Sequence, residues 1–108
     1  MLLFKKKFLA QIASGAKRQT VRVWPRRRLR AGQTEYVPGL GRIRITAFET
    51  VRPEALTDED AILDGFASRE ALVGELRALY GDRLSTLPCF RIRFAYPVTV
   101  ADPSSPSC

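Results

Sequence analysis

The order of helix-like and strand-like segments is the feature that most limits how this chain can fold. Hydrophobic periodicity predicts one helix, three strands, two helices and a last strand along the sequence. Because helices and strands do not alternate regularly, a doubly wound parallel sheet is disfavoured. The order favours the α+β class, with a small curved mixed sheet or barrel and helices packed against it.

The clearest single element is a strand over residues 42–52. Ile43, Ile45 and Ala47 alternate there with Arg42 and Arg44, and a period of two places the two sets on opposite faces of a strand. The two arginines are therefore expected to point away from the core. The same reasoning, together with helix caps and turn residues, predicts strands at residues 19–24, 34–37 and 90–94, and helices at residues 4–13, after Thr57 and from Ser68 to Tyr80.

The length of 108 residues fits one domain with one core. We assign the domain to residues 1–100 and predict a disordered tail over residues 101–108, because that proline- and serine-rich segment has nothing to bury. The apolar runs are too short to span a membrane, and the first residues lack the order of a signal peptide. We therefore expect a cytoplasmic protein without membrane contact.

The net charge of +7 is unevenly placed along the chain. Residues 1–44 carry twelve basic side chains and one acidic one, whereas the remainder carries six basic and ten acidic side chains. The first part can therefore present a positive surface to phosphate groups. The alternative is a solvated basic face that only keeps the protein soluble.

The chain has no histidine, and its two cysteines are Cys89 and Cys108. Ser-His-Asp and Cys-His catalysis are therefore excluded, as is imidazole-based zinc chemistry. Two distant cysteines form neither a disulfide framework nor a zinc-binding spacing. We expect no cofactor and no structural metal, and any catalysis has to use lysine, hydroxyl, tyrosine or carboxylate groups.

A lysine, a hydroxyl and an arginine are concentrated in residues 15–22. Lys17 and Thr20 would face opposite ways in a fully extended chain, so they converge only if residues 15–18 form a turn at Gly15. A lysine whose pKa falls on burial could then accept a proton from Thr20 or from water. On spacing alone the pair is unspecific, because a lysine three residues before a threonine is common.

This segment resembles the glycine-x-lysine-x-x-threonine-x-arginine signature of ASCH domains, a PUA-like family associated with RNA. The resemblance continues over most of the chain, in an order and spacing similar to those of the family. Its further parts are Phe8 and Ile12 before the glycine, Leu29-Arg30-Ala31-Gly32, Leu56-Thr57 with Ala61, Asp64-Gly65-Phe66, and Phe90-Arg91-Ile92-Arg93-Phe94.

The resemblance implies a barrel-like mixed sheet with flanking helices and a cleft between them. Small bacterial members of similar length are amidohydrolases that deacetylate N(4)-acetylcytidine with a lysine, a threonine and a glutamate. Lys17 and Thr20 match the first two, and the third position holds Asp64, a carboxylate shorter by one methylene. Glu59 or Glu70 would replace it only if the helix packed differently. In the other interpretation, Asp64 is a solvated residue near the end of a helix.

A cluster of arginines supports a different function. Four of them follow Trp24, and they are expected to lie one strand away from two further arginines on β-strand residues 42–52. This arrangement suits contacts with the phosphate backbone of RNA and stacking of its bases. In the other interpretation, Trp24 belongs to the core and the arginines decorate a loop. The residues are Arg26, Arg27, Arg28 and Arg30, with Arg42 and Arg44.

Three functions follow, and the first is an RNA-binding ASCH domain whose cleft contains Lys17 and Thr20. The second is an amidohydrolase of N(4)-acetylcytidine or a similar acylated pyrimidine nucleoside, with Lys17, Thr20 and Asp64 as catalytic residues and Arg22 contacting ribose or phosphate. The third is a ribonuclease. The expected partner is thus RNA or a pyrimidine nucleoside, although basic surfaces also bind acidic proteins.

Overall fold

The computed structural model describes residues 1–98, so the predicted tail at residues 101–108 and the boundary at residue 100 lie outside the described residues. A short 3-10 helix at Pro53–Ala55 precedes α2. The elements in chain order are α1 (Lys6–Ser14), β1 (Gln19–Val23), β2 (Thr34–Val37), β3 (Gly41–Val51), α2 (Asp58–Asp64), α3 (Arg69–Tyr80), α4 (Arg83–Thr86) and β4 (Cys89–Ala95).

The four strands form one curled sheet in the order β1-β4-β3-β2. The last strand of the chain is therefore inserted between the first and the third, and β1 lies at an edge. The α+β class with a curved sheet and flanking helices is confirmed. The sheet was expected to be mixed, whereas each pairing within residues 1–98 is antiparallel. A register shift between Ile45 and Ala47 interrupts β3, and such bulges bend a strand.

Alternation along the strands gives each face of the sheet its own apolar core. On one face, Ile43, Ile45 and Ile92 pack with Ile12 of α1. On the other face, α2 and α3 cover the sheet through a second cluster that contains Val21, Val23, Leu56, Ala61, Leu72, Leu76 and Cys89. The edge strand β1 thus lies between α1 on one side and the α2–α3 pair on the other.

Helix α1 forms because its apolar residues recur at helical spacing, as the sequence predicted, with ends shifted by one or two residues. Phe8 and Ile12 are buried, and Lys6 and Lys7 are exposed on the opposite side. Gly15 ends the helix with a φ of 86°. This left-handed conformation favours glycine, and it turns the chain toward β1.

The predicted caps of α2 and α3 are confirmed. Thr57 and Asp60 form a reciprocal capping box at the start of α2, and Ser68 accepts a hydrogen bond from the Ala71 N–H at the start of α3. The predicted apolar stripe of α3 is confirmed only in part, because its last member, Leu79, is exposed. Within residues 1–98, none of the helices combines the length and the apolar character needed to cross a membrane.

Candidate active site

A cavity of about 410 Å³ lies beside the free edge of β1. The residues before α1, the strand β1 and the helices α2 and α3 enclose it. Its volume falls within the usual range for small-molecule sites. Its apolar lining consists mainly of Phe4, Phe8, Val21, Phe66, Leu72, Leu76 and Tyr80, and its polar lining consists of Lys5, Lys17, Thr20, Arg22, Asp64 and Glu75.

A buried ion pair forms the polar end of this cavity. The Nζ atom of Lys17 lies 2.6 Å from Oδ1 of Asp64 and also donates to the main-chain oxygen of Asp64. Only 2% of Lys17 and 3% of Asp64 is exposed. The Oδ2 atom of Asp64 is buried and has no hydrogen-bond partner among the described residues. The carboxylate is thus held on one side and unsatisfied on the other.

Burial shifts both members of the pair toward their neutral forms. Loss of water lowers the pKa of Lys17 more than Asp64 raises it, and the charge of Arg22 lowers it further. Burial likewise raises the pKa of Asp64, against the opposing effects of Lys17, Arg22 and the Val21 backbone N–H. Burial thus disfavours the charged form of each partner, against their mutual attraction.

The chain turn that the sequence required is present. After Gly15, the Lys17 N–H donates to the Gln11 oxygen at 3.0 Å and the Arg18 N–H donates to the Leu63 oxygen at 2.8 Å. The strand then begins at Gln19. Lys17 and Thr20 consequently line the same cavity, as predicted, instead of facing opposite ways.

Asp64 is placed beside Lys17 by the end of α2. It is the last residue of that helix, and Gly65 follows with a φ of 95°. The interpretation of Asp64 as a solvated residue is wrong, because docking of α2 on β1 buries its carboxylate. Glu59 and Glu70 are exposed and do not line the cavity.

Arg22 connects the hydroxyl of Thr20 to the N-terminal segment. Its Nε donates to Thr20 Oγ1 at 2.9 Å, its Nη2 donates to the Leu3 oxygen at 2.7 Å, and its guanidinium carbon lies 4.9 Å from the Phe4 ring centroid. Burial lowers the pKa of Arg22 below its ordinary value, and arginine still keeps its charge in proteins. Since Oγ1 accepts from Arg22, the Thr20 hydroxyl hydrogen stays available for a base or a ligand.

The free edge of β1 adds backbone groups to the cavity. The Arg18 oxygen accepts from the Phe94 N–H, and the Trp24 N–H donates to the Pro88 oxygen. The backbone groups that pair with β4 along this strand therefore belong to the even-numbered residues. Backbone groups alternate in direction along a strand. The N–H and C=O of Val21 therefore point away from β4, and Val21 lines the cavity.

The other predicted binding residues lie outside the cavity. We call the exposed Arg26, Arg27, Arg28 and Arg30 the arginine surface; none of the four lines the cavity. The guanidinium carbon of Arg27 lies 4.7 Å from the Phe48 ring centroid, and that of Arg28 lies 4.8 Å from the Trp24 ring centroid. The segment is not wholly external, because Leu29 is buried in the core and anchors it.

Trp24 is neither fully in the core nor fully exposed, so each of the two interpretations, core residue or stacking residue for RNA, fits part of its surface. It is half-buried and stacks on Phe48, with ring centroids 6.4 Å apart and planes 25° apart. A base could stack here only on or in place of the Arg28 guanidinium. Arg42 and Arg44 point out of β3 as predicted, and Arg44 donates to the Gly32 oxygen.

Sequence reasoning did not assign several residues of the cavity. Tyr80 was noted only as the end of α3, yet it follows Leu72 and Leu76 at steps of four, which places it on the same helix face. That spacing was a usable signal. Lys5 and Glu75 form an ion pair of 2.5 Å that joins the start of α1 to α3, and no local pattern indicates it.

Residues 1–98 contain no group of three or more cysteine, aspartate or glutamate side chains that could hold a metal ion. The polar groups in the cavity are two amines, two hydroxyls, a guanidinium and two carboxylates, which are suited to proton transfer and to binding of polar ligands.

No protein-family model and no curated protein matches the sequence. Solved structures do match its fold. The hypothetical protein PH0355 is 18% identical with a TM-score of 0.75, and the alignment covers 86% of this chain and 94% of that one. The protein EF3133 from Enterococcus faecalis V583, assigned to DUF984, is 14% identical with a TM-score of 0.65, covering 86% and 74%.

The ASCH domain from Lactobacillus crispatus JV V101 is 14% identical with a TM-score of 0.60, covering 81% of this chain and 68% of that one. Identities this low show the fold alone. The chain therefore has the fold that these structures share, the ASCH domain among them.

Proposed function

We propose that the cavity is the active site of an amidohydrolase that acts on an acylated pyrimidine nucleoside such as N(4)-acetylcytidine. The observation that carries the proposal is the buried Lys17–Asp64 pair, which shares one cavity with the Thr20 hydroxyl and the Arg22 guanidinium. These groups supply a base, a hydroxyl and a fixed positive charge, which are the components that amide hydrolysis needs in a chain without histidine.

The walls of the cavity suit a flat, weakly polar ligand. Phe4, Phe8, Phe66 and Tyr80 present aromatic rings, and such rings pack well against a pyrimidine base. The backbone C=O of Val21 offers a hydrogen-bond acceptor in the same space, whereas its N–H acts on the Asp64 carboxyl group. A volume of about 410 Å³ admits one nucleoside-sized molecule.

The reaction begins with proton removal by Lys17. In its neutral form, which burial favours, the amine takes a proton from the Thr20 hydroxyl or from a water molecule. The resulting oxygen nucleophile adds to the acetyl carbonyl carbon. The Arg22 guanidinium stabilises the negative oxygen that develops, in a site where little water screens the charge.

Breakdown of this adduct cleaves the C–N bond. The proton taken by Lys17 passes to the leaving nitrogen, and Asp64 orients the ammonium group and relays the proton. If water attacks, the products are acetate and the free 4-amino nucleoside. If Thr20 attacks, an acetyl ester forms first, and a water molecule then hydrolyses it to acetate.

The test is incubation of the purified protein with N(4)-acetylcytidine while acetate and cytidine are measured. Thr20→Val keeps the side-chain shape and removes the hydroxyl, and Lys17→Met keeps much of the length and removes the amine. Each is expected to lower kcat by at least about 100-fold, the usual scale of acid–base catalysis. Mass spectrometry of the quenched reaction separates the routes, because only the Thr20 route leaves an acetyl group on the protein.

Arg26→Ala and Arg28→Ala serve as matched controls, since both residues lie outside the cavity and should leave kcat unchanged. Two results would contradict the proposal. One is the absence of acetate from the wild-type protein, and the other is a full rate in Thr20→Val.

RNA binding is the second candidate, and the arginine surface favours it. Its guanidinium groups are exposed, and two of them rest on the aromatic rings of Trp24 and Phe48. Such a surface suits a phosphate backbone with unstacked bases. The sequence placed this function first. Because none of these arginines lines the cavity, the cavity and its polar groups support hydrolysis of a small substrate more directly.

Charge reversal tests the second candidate. The triple variant Arg26→Glu, Arg27→Glu and Arg28→Glu should abolish retention of a mixed RNA pool and flatten the dependence of binding on salt. Thr20→Val should leave RNA retention unchanged. Indifference of retention to the charge reversal would exclude the arginine surface as the binding site. A ribonuclease would require the polymer surface and the catalytic pair to be contiguous, and no observation favours that arrangement.

A further inference from the structure

A second polar junction joins β1 to α2 beside the Lys17–Asp64 pair. Gln19 is fully buried, and its Nε2 atom lies 3.2 Å from Oδ1 of Asp60 and 3.4 Å from the Asp60 main-chain oxygen. Asp60 is 3% exposed. Neither residue lines the cavity, so neither can touch a ligand there.

The junction is a hydrogen-bonded network in which the buried polar groups find partners. The Gln19 oxygen accepts from Nε of Arg93 at 3.2 Å. The Asp60 carboxylate accepts from the Thr57 N–H at 3.0 Å, from the Thr57 hydroxyl at 3.1 Å and from Nη1 of Arg91 at 3.3 Å. Fully satisfied networks of this kind are rigid, whereas unsatisfied buried groups are costly.

The network and the Lys17–Asp64 pair join the same face of α2 to the same end of β1. Asp60 and Asp64 are four residues apart on α2 and therefore share a helix face. Between the two side-chain contacts, the Arg18 N–H donates to the Leu63 oxygen. Consecutive residues 17, 18 and 19 thus hold α2 at positions 64, 63 and 60, which fixes both the rotation and the translation of the helix against the strand.

We propose that Gln19 and Asp60 are positioning residues that hold the carboxylate of Asp64 against Lys17. The proposal rests on the proposed function of the cavity and assigns a role there to two residues that never reach the substrate. Loosening the junction lets α2 shift, separates the pair and admits water to Lys17. Misplacement of reacting groups by about 1 Å costs roughly 100-fold in rate.

Kinetics of two variants test the role. Gln19→Met removes the amide and is expected to lower kcat by about 10-fold to 100-fold while KM stays within a factor of about 2, because Gln19 does not line the cavity. Gln19→Glu places two carboxylates in contact. Adding Asp60→Asn restores a hydrogen bond in the reverse direction, with the amide of residue 60 donating to the carboxylate of residue 19. Recovery of kcat in this double variant is the expected result.

A loss of stability alone would not produce that pattern. Glu49→Gln is the matched control, because Glu49 contacts the network only through the outer side of Arg91, and it should leave kcat unchanged. A kcat in Gln19→Met equal to that of the wild type would overturn the proposal, as would a failure of the double variant to regain activity while it remains folded.

A second readout is independent of turnover. Titration of the Lys17 side chain by carbon NMR reports its protonation directly, and in Gln19→Met the midpoint should rise toward that of the exposed lysines as water enters. If the wild-type protein hydrolyses no acylated nucleoside but this midpoint rises, the proposed function fails and the positioning role stands. A midpoint that does not move overturns the positioning role.

Discussion

Asp60 and Asp64 lie one turn apart on the same short helix and are equally inaccessible to solvent. Their pKa values are nevertheless shifted in opposite directions, that of Asp60 downward and that of Asp64 upward. Burial alone would raise the pKa of Asp60, but hydrogen bonds from Thr57 and Gln19 and the charge of Arg91 outweigh it and lower the pKa. Asp64 is surrounded by far more protein, and its pKa is raised by burial despite Lys17. Solvent accessibility therefore does not decide the direction in which the pKa of a buried carboxyl group shifts. The depth of its burial and the number of hydrogen bonds that it accepts decide it.

The difference supports the proposed roles, a structural one for Asp60 and a catalytic one for Asp64. Both oxygens of Asp60 are hydrogen-bonded, and its charge is stabilised in place. Within residues 1–98, Asp64 has one oxygen on Lys17 and one without a hydrogen-bond partner. A group with an unsatisfied oxygen and a destabilised charge can accept and return a proton, which is the property that catalysis requires.

The largest effect is expected from breaking the Lys17–Asp64 pair on one side. Lys17→Met leaves the Asp64 carboxyl buried without its donor and should lower the free energy of unfolding by about 3–5 kcal/mol. The double variant Lys17→Met with Asp64→Leu should return close to wild-type stability, because neither polar group remains. Urea denaturation measures both, and a double variant no more stable than the single one would refute the explanation.

The two aspartates should also differ in their contributions to stability as the pH changes. The folded pKa of Asp60 is depressed, so its contribution is present above the unfolded value near 3.8 and is lost as the pH falls through the folded pKa. The folded pKa of Asp64 is raised, so its contribution is present below the unfolded value and is lost as the pH rises through the folded pKa.

Carbon NMR of the two carboxyl groups checks this contrast directly. The titration midpoint of Asp60 should lie below 3.8 and that of Asp64 above it. Midpoints on the same side of that value would show that the surroundings of the two groups do not differ as described.

A smaller effect is expected from the cap of α2. Thr57→Ala removes the hydroxyl that bonds to the Asp60 N–H and to its Oδ2 atom, and should cost about 1 kcal/mol. The pKa of Asp60 should rise toward its ordinary value, whereas that of Asp64 should not change. Thermal unfolding and the same NMR titration measure the two outcomes, and Ser85→Ala in α4 is a control for loss of a surface hydroxyl.

The smallest effect is expected at the outer side of the network. Arg91 pairs with Glu49 at 3.1 Å, and Glu49 is half-exposed, so the pair contributes about 0–1 kcal/mol. Glu49→Gln should therefore change the unfolding midpoint in urea only slightly and leave the titration of Asp60 in place. A large loss would mean that the outer pair, and not the buried hydrogen bonds, holds Asp60.

Local patterns predicted the parts of the fold that depend on local physics. Alternation identified the strands, glycine and hydroxyl residues marked the ends of the helices, and the turn after Gly15 brought Lys17 and Thr20 into one cavity. The outward direction of Arg42 and Arg44 followed from the same alternation. Each of these features is determined within a few residues of the chain.

Features that depend on docking could not be predicted in the same way. Asp64 and Lys17 are 47 residues apart in sequence, and nothing near Asp64 shows that α2 presses it against β1. The burial of Asp60 was missed for the same reason, although its place in the first turn of α2 was correct. The separation of the arginine surface from the cavity also arises from the tertiary structure, as does the insertion of β4 between β1 and β3.

Gly65 follows α2 and lies directly against two side chains of α1. A Cβ atom there would lie 2.3 Å from Oε1 of Gln11 and 3.2 Å from the ring of Phe8, at a φ of 95° that other residues rarely adopt. Gln11 can swing aside, but the Phe8 ring, whose centroid lies 4.5 Å from the Lys17 amine, would have to shift by a few tenths of an ångström. The pKa of Lys17 therefore depends on the absence of a side chain at Gly65. A side chain there would move α1 and α2 apart and admit water to the Lys17 amine without contacting the amine itself.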